Sequence, residues 1–185
     1  MVAVVSDKRI HLIRGGAVRA HADLPGLSAV ALSADGATLA AGTEAGPIVL
    51  FSVDGDKLTK RAELAKHTGE VTALAFSPTG AYLGSCDSAR QVIAWDLNVQ
   101  APLSTSWMAH KAKVTALAWA PSGKVLATGG VDSSIVVWSV DHPAENMTMR
   151  LAHEGGVTAL AFLSDATVLS AGHVRAAQAS ARPRG

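Results

Sequence analysis

A segment reading VTALAFSPTG opens at Val71, returns as VTALAWAPSG at Val114 and returns again as VTALAFLSDA at Val157, at a constant step of 43 residues. Three histidines, His67, His110 and His153, keep the same step just ahead of each copy. A fainter copy, LSAVALSADGATLAAG, opens at Leu27, 44 residues before Val71. VTALAW alternates as a pleated strand does, and SPTG, APSG and SADG are turn-like breaks. A chain that repeats one short sheet-forming unit must stack the copies to bury them.

The remainder of the unit supplies more strands. KVLATGG reads as a second, SSIVVWSV as a third rich in β-branched residues, and MTMRLAH as a fourth. Four strands in a period of about 40–45 residues describe a β-propeller blade. The inner strands of such blades are covered on both faces, which accounts for runs apolar at nearly every position and for the abundant alanine. No helical apolar stripe is sustained over ten residues. The expected fold is therefore all-β, an incomplete propeller arc of about four to five four-stranded blades. Its expected parts are a partial blade at 1–22, blades at about 23–66, 67–109 and 110–152, and a partial blade at 153–173. The segment 174–185, rich in alanine and arginine, shows no third strand and no Trp, and is expected to be a disordered or aberrant tail. An arc left open would expose strand edges and an apolar face, so the sequence is expected to be a piece of something longer.

The best unit, HKAKVTALAWAPSGKVLATGGVDSSIVVWSV from His110 to Val140, resembles the WD-repeat family. That resemblance implies a structural hydrogen-bond set of His, Ser or Thr, Asp and Trp, which fall here on His110, Thr128, Asp132 and Trp138. Buried polar groups must be paired, because an orphan costs about 1–3 kcal/mol. The preceding unit keeps a partial set, His67, Ser85 and Trp95, but places Ala89 where the Asp is expected, so it is expected to manage without a carboxylate. The upstream unit has Asp23, Ala41, Ala45 and Phe51 at the four places, and the last unit has His153 alone.

AHKAKVTALAWAPSGKVLATGGVDSSIVVWSV, SCDSARQVIAWDL and LAHEGGVTALAFLSDATVLSAGH are similar, more narrowly, to the actin-interacting WD-repeat proteins that assist cofilin. The resemblance is to the C-terminal part of the second of that family's two propellers. It implies actin filaments and cofilin as partners, faster disassembly of filaments or capping of severed ends, and a cytoplasmic place on the actin cytoskeleton. Partner-binding candidates are Lys111 and Lys113, in the loop that enters the innermost strand, and Trp107. A scaffold subunit of another complex, of ubiquitin-ligase or chromatin type, and a non-functional piece are the alternatives.

Other chemistry finds little support. The three histidines fall one per blade, too far apart to share a metal. His67-Thr68-Gly69-Glu70 lacks the helix and second His of a zinc peptidase. GTEAGP at Gly42–Pro47 lacks the Lys-Ser/Thr of a phosphate loop. Cys86, the single cysteine, follows Ser85 within a strand and reads as a buried thiol. With no nucleophile elbow, catalytic carboxylate pair or cofactor loop, the expected role is binding, without cofactor or metal. A net charge of +1 gives no electrostatic case for nucleic acid or an anionic membrane. Arg175, Arg182 and Arg184 lack the interleaved aromatics of an RNA-binding segment. No apolar run approaches the length of a membrane span.

Overall fold

The computed structural model describes residues 2–6, 9–103, 107–172 and 178–180. All described secondary structure is strand, in five antiparallel sheets. Sheet one holds β1 (Val2–Ser6), β2 (Arg9–Arg14) and β3 (Ala17–Asp23). Sheet two holds β4 (Leu27–Leu32), β5 (Thr38–Thr43), β6 (Ile48–Asp54) and β7 (Lys57–Leu64). Sheet three holds β8 (Val71–Phe76), β9 (Tyr82–Asp87), β10 (Val92–Asp96) and β11 (Ala101–Pro102). Sheet four holds β12 (Val114–Trp119), β13 (Val125–Gly130), β14 (Ile135–Ser139) and β15 (Asn146–Met149). Sheet five holds β16 (Val157–Ser164), β17 (Thr167–Gly172) and β18 (Gln178–Ser180). Strands follow one another across every sheet in chain order, so the chain meanders outward and then returns to start the next sheet.

The last sheet departs from the sequence expectation. Three residues of the 174–185 segment form a third strand, pairing Thr167 with Ser180, Val168 with Ala179 and Leu169 with Gln178. The boundary at His173 and the arginines Arg175, Arg182 and Arg184 lie outside the described residues.

Successive sheets pack face to face, and a small recurring device sets their approach. Each first strand of sheets two to five shifts register after its first residue. Such a bulge re-aims the extra side chain, and here it turns a hydroxyl toward the next sheet. Ser28 Oγ donates to the Val71 carbonyl at 2.7 Å, Thr72 Oγ1 to the Val114 carbonyl at 2.5 Å, and Thr115 Oγ1 to the Val157 carbonyl. Opposite the bulge the second strand carries a small residue, Gly42, Cys86 or Gly129. A Cβ added to Gly42 would stand 2.5 Å from Val71 Cγ1, and one on Gly129 would strike Val157. Trp119 then reaches back, its Nε1–H donating to the Ala75 carbonyl at 2.9 Å.

Three apolar cores lie between neighbouring sheets. Leu27, Leu39 and Phe51 meet Ile10 between sheets one and two. Val71, Leu83 and Trp95 meet Ile48 and Leu50 between sheets two and three. Val114, Trp119, Leu126 and Trp138 meet Cys86, Val92 and Ala94 between sheets three and four. The strands β5, β9 and β13 are buried over most of their length, which is why their residues are mostly small or apolar and their polar ones, Ser85, Asp87 and Thr128, are hydrogen-bonded.

Candidate functional site

His110 precedes β12, Thr128 lies on β13, Asp132 in the turn after it and Trp138 on β14. The sheet brings all four together. His110 Nε2 lies 2.8 Å from Thr128 Oγ1, and Trp138 Nε1–H donates to that oxygen at 2.8 Å. His110 Nδ1 lies 3.2 Å from both oxygens of Asp132. The carboxylate also accepts from the Lys111 N–H at 2.6 Å and the Ser134 N–H at 3.1 Å. One proton arrangement satisfies every member: indole N–H to hydroxyl, hydroxyl to Nε2, Nδ1–H to carboxylate. The row ties two strands, the turn between them and the entering loop into one unit.

Sheet three builds the same row with a different carboxylate. His67 Nε2 lies 2.7 Å from Ser85 Oγ, which accepts from Trp95 Nε1 at 2.8 Å. His67 Nδ1 pairs with Asp87 Oδ2 at 3.0 Å. The expectation that this blade lacks a carboxylate is thus corrected. Asp87 ends β9, two residues before Ala89, and its side chain reaches the place that Asp132 reaches from the turn. Gly130 holds the register position of Asp87, and a Cβ there would lie 3.0 Å from His110 Nδ1 and from Asp132 Oδ1. The signal was present in the sequence as SCD, outside the aligned column.

The last sheet also holds more than its sequence suggested. His153 Nε2 lies 2.9 Å from Ser170 Oγ. Ser170 takes the place of Thr128, lying 17 residues after its His where Thr128 lies 18 residues after His110. His153 Nδ1 is buried and has no partner among the described residues. Asp23, at the place of the His ahead of sheet two, ends β3 of sheet one and forms an exposed ion pair with Arg9 at 2.5 Å.

Electrostatics follow burial. Burial is the largest influence on Asp87 and pushes its carboxyl upward, but hydrogen bonds from His67 and the Gln91 N–H, with the His67 charge, outweigh it and hold it below the usual range. Asp132 behaves alike: burial raises it, and the Lys111 and Ser134 amides with His110 bring it down. Burial depresses His110 against the opposing pull of Asp132.

Ser85, His67 and Asp87 share the connectivity of a hydrolase triad. Ser85 and Asp87 are 0% exposed, and the Ser85 oxygen is already held by Trp95. No substrate carbonyl can approach it, so the row is a brace, not a nucleophile. No group of three His, Cys, Asp or Glu arranged to hold a metal occurs among the described residues.

The three partner candidates separate. Trp107 is 1% exposed, stacks on Trp138 with ring centres 5.1 Å apart, and donates Nε1–H to the Pro143 carbonyl at 2.8 Å. It packs the core and offers no exposed anchor. Lys113 pairs with Glu70 at 3.0 Å across sheets three and four, both half-exposed. Only Lys111 is exposed with its ammonium in no ion pair among the described residues.

Residues 58–96 and 101–139 match the model of the WD domain, G-beta repeat. The chain thus carries WD repeats over these two stretches, where sheets three and four are each braced by a His, a hydroxyl, a carboxylate and a Trp, and its stacked antiparallel sheets have the fold of β-propeller blades. Among known proteins it is similar to the "66 kDa stress protein" of Physarum polycephalum, at 37% identity over 81 residues, covering 44% of this chain and 14% of that protein. It is similar also to "Actin-interacting protein 1-2" of Arabidopsis thaliana, at 32% identity over 97 residues, covering 52% of this chain and 16% of that protein. The chain thus spans a small part of the length of these relatives. Among solved structures, that of U3-55K superposes with a TM-score of 0.71 at 23% identity, over 80% of this chain and 46% of the other, which concerns the fold alone. None of the described elements is a helix long and apolar enough to cross a membrane.

Proposed function

We propose that this chain is a protein-binding module that engages actin filaments and acts with cofilin to promote their disassembly, in the cytoplasm. The observation that carries this reading is the 32% identity to "Actin-interacting protein 1-2", over about half of this chain. The physical setting is compatible with it. The polar rows are buried braces, so they leave the loops and turns at the blade rims as the surface on which specificity is written. The role is one of binding, without catalysis or cofactor.

Co-sedimentation tests it. The chain is expected to pellet with actin filaments, and to do so more strongly when cofilin decorates them. Filaments with cofilin and this chain are expected to lose polymer faster than with cofilin alone. A chain that stays in the supernatant under both conditions would overturn the proposal. Co-purification with ubiquitin-ligase or chromatin subunits and without actin would replace it by the scaffold reading.

A further inference from the structure

We propose that the pocket bordered by Arg61, between sheets two and three, is a binding site for a carboxylate carried on a short apolar chain. Sheet two lines it with Thr38, Leu50, Arg61 and Ala62, and the turn between β10 and β11 adds Leu97 and Gln100. Its volume is about 130 Å³. Pockets for whole cofactors or drug-sized ligands hold about 300–1,000 Å³. This one has room for a small acid or a single head group. It shares no residue with the buried polar rows.

Two differences between neighbouring repeats leave this space open. Thr38 heads β5 as Tyr82 heads β9. Tyr82 stacks on Trp119 with ring centres 6.1 Å apart, filling the corresponding place between sheets three and four. Ala62 lies opposite Leu50, whereas the next sheet sets Leu103 opposite Ala94, its N–H donating to the Ala94 carbonyl at 2.8 Å. Tyr82 and Leu103 both pack on the core there. Thr38 and Ala62 are smaller, so the space that a plain repeat of the packing would close stays open.

The backbone aims the one charged residue of the wall. Ala62 pairs with Leu50 and Lys60 with Phe51, which leaves Arg61 as the extra residue of a bulge. A bulge re-aims the side chain that it frees from the alternation of its strand, and here Arg61 borders the pocket. Its guanidinium is in no ion pair or hydrogen bond among the described residues, while Lys60 and Glu63 on the same strand pair with each other at 2.8 Å. No carboxylate lines the pocket. A guanidinium holds a carboxylate through two parallel N–H donors. Leu50, Ala62 and Leu97 give the attached chain an apolar wall, and the Thr38 hydroxyl and Gln100 amide add donors at the polar side. One positive charge beside an apolar wall suits a carboxylate on a short chain better than a phosphate, which brings up to two charges and no apolar surface.

The test is a ligand-observed NMR titration of the full chain at constant ionic strength. Butyrate serves as the free acid and N-acetyl-leucine as the mimic of a peptide end, with butylamine and inorganic phosphate as contrasts. One or both acids are expected to bind, the tighter naming the source, and the contrasts to bind about tenfold more weakly or less. Arg61→Gln removes the charge, and Thr38→Tyr copies the neighbouring interface and fills the pocket. Each is expected to weaken binding of the acids about tenfold or more. Lys57→Gln, on the same strand and outside the pocket, is expected to bind as the wild type does. A wild type that binds neither acid, or binds butylamine or phosphate as well as the acids, overturns the inference. So does full binding by either pocket variant that melts as the wild type does, or an equal loss in Lys57→Gln.

Discussion

Asp87 and Gly130 occupy the same register position in adjacent sheets, and the difference between them decides where each blade finds its carboxylate. Where the position is Asp, its side chain meets His67 directly. Where it is Gly, the space is left for Asp132, which arrives from the turn. Asp87→Ala is expected to orphan the buried His67 Nδ1 and to cost about 1–3 kcal/mol. For a chain of this size that is several degrees in melting temperature. Adding Ala89→Asp to Asp87→Gly copies the neighbouring arrangement and is expected to restore part of the loss. An Asp87→Ala chain that melts with the wild type would show that the bond contributes nothing. Asp132→Ala is expected to cost a similar amount, since it also releases the Lys111 and Ser134 amides.

The hydroxyl in each row serves two masters, and its removal should cost more than loss of either neighbour. Thr128 accepts from Trp138 and reaches His110. Thr128→Val nearly conserves volume but leaves two buried polar groups unpaired, at about 1–3 kcal/mol for each. Trp138→Phe removes one bond and keeps a ring against Trp107. Chemical denaturation is expected to rank Thr128→Val as the more damaging, and the reverse order would show that packing in this row outweighs its hydrogen bonds.

Much of this was legible in the chain because the physics repeats. Strands recur at fixed step, since each blade must present the same faces to its neighbours, and His110, Thr128, Asp132 and Trp138 stood in one column each. What escaped depended on compensation between columns. Asp87 performs the role of a residue two places on, and Ser170 stands one place nearer its His than Thr128 does. Fixed spacing is blind to both. Trp107 was ambiguous for another reason: an indole fits a core or an exposed anchor equally well, and only its burial against Trp138 decides. The short third strand Gln178–Ser180 carries no β-branched signature, and its pairing with β17 comes from tertiary context.

Acid is expected to weaken the braces in two stages. Burial depresses His110 below its ordinary 6.5, so the folded chain resists a proton that the unfolded chain accepts. Stability from this group is full above about pH 6.5 and falls as pH drops from there toward the folded value. Asp132 and Asp87 are held below their ordinary 3.8. Their contribution is full above that pH and is lost as pH falls through the lower folded values. Denaturation midpoints between pH 8 and pH 3 are expected to be level first and then to decline. Asp132→Asn is expected to flatten the lower stage, and an unaltered profile would exclude Asp132 as its source.

The interface residues predict a size limit. Gly129 faces Val157 so closely that an added Cβ must displace it. Overpacking of this kind costs about 1–3 kcal/mol. Gly129→Ala is expected to destabilise by that order, and Val157→Ala in the same chain to recover part of it. Independent, additive losses would mean that the two residues do not press on each other.

Cys86 holds the place of Gly129 one sheet earlier and makes the state of that interface measurable. Its thiol is 0% exposed, and burial is the main cause that pushes its pKa up to about 12. A thiol so protonated and so covered is inert, because reagents attack the thiolate. Labelling by a disulfide exchange reagent is therefore expected to be slow in the native chain and fast in denaturant. Its rate should follow separation of sheets three and four. Val114→Ala removes the residue that packs in the same core beside Cys86, and is expected to speed labelling under native conditions. Rapid labelling of the unaltered chain would mean that the two sheets part readily, and that the core around Trp119 and Trp138 does not hold them closed.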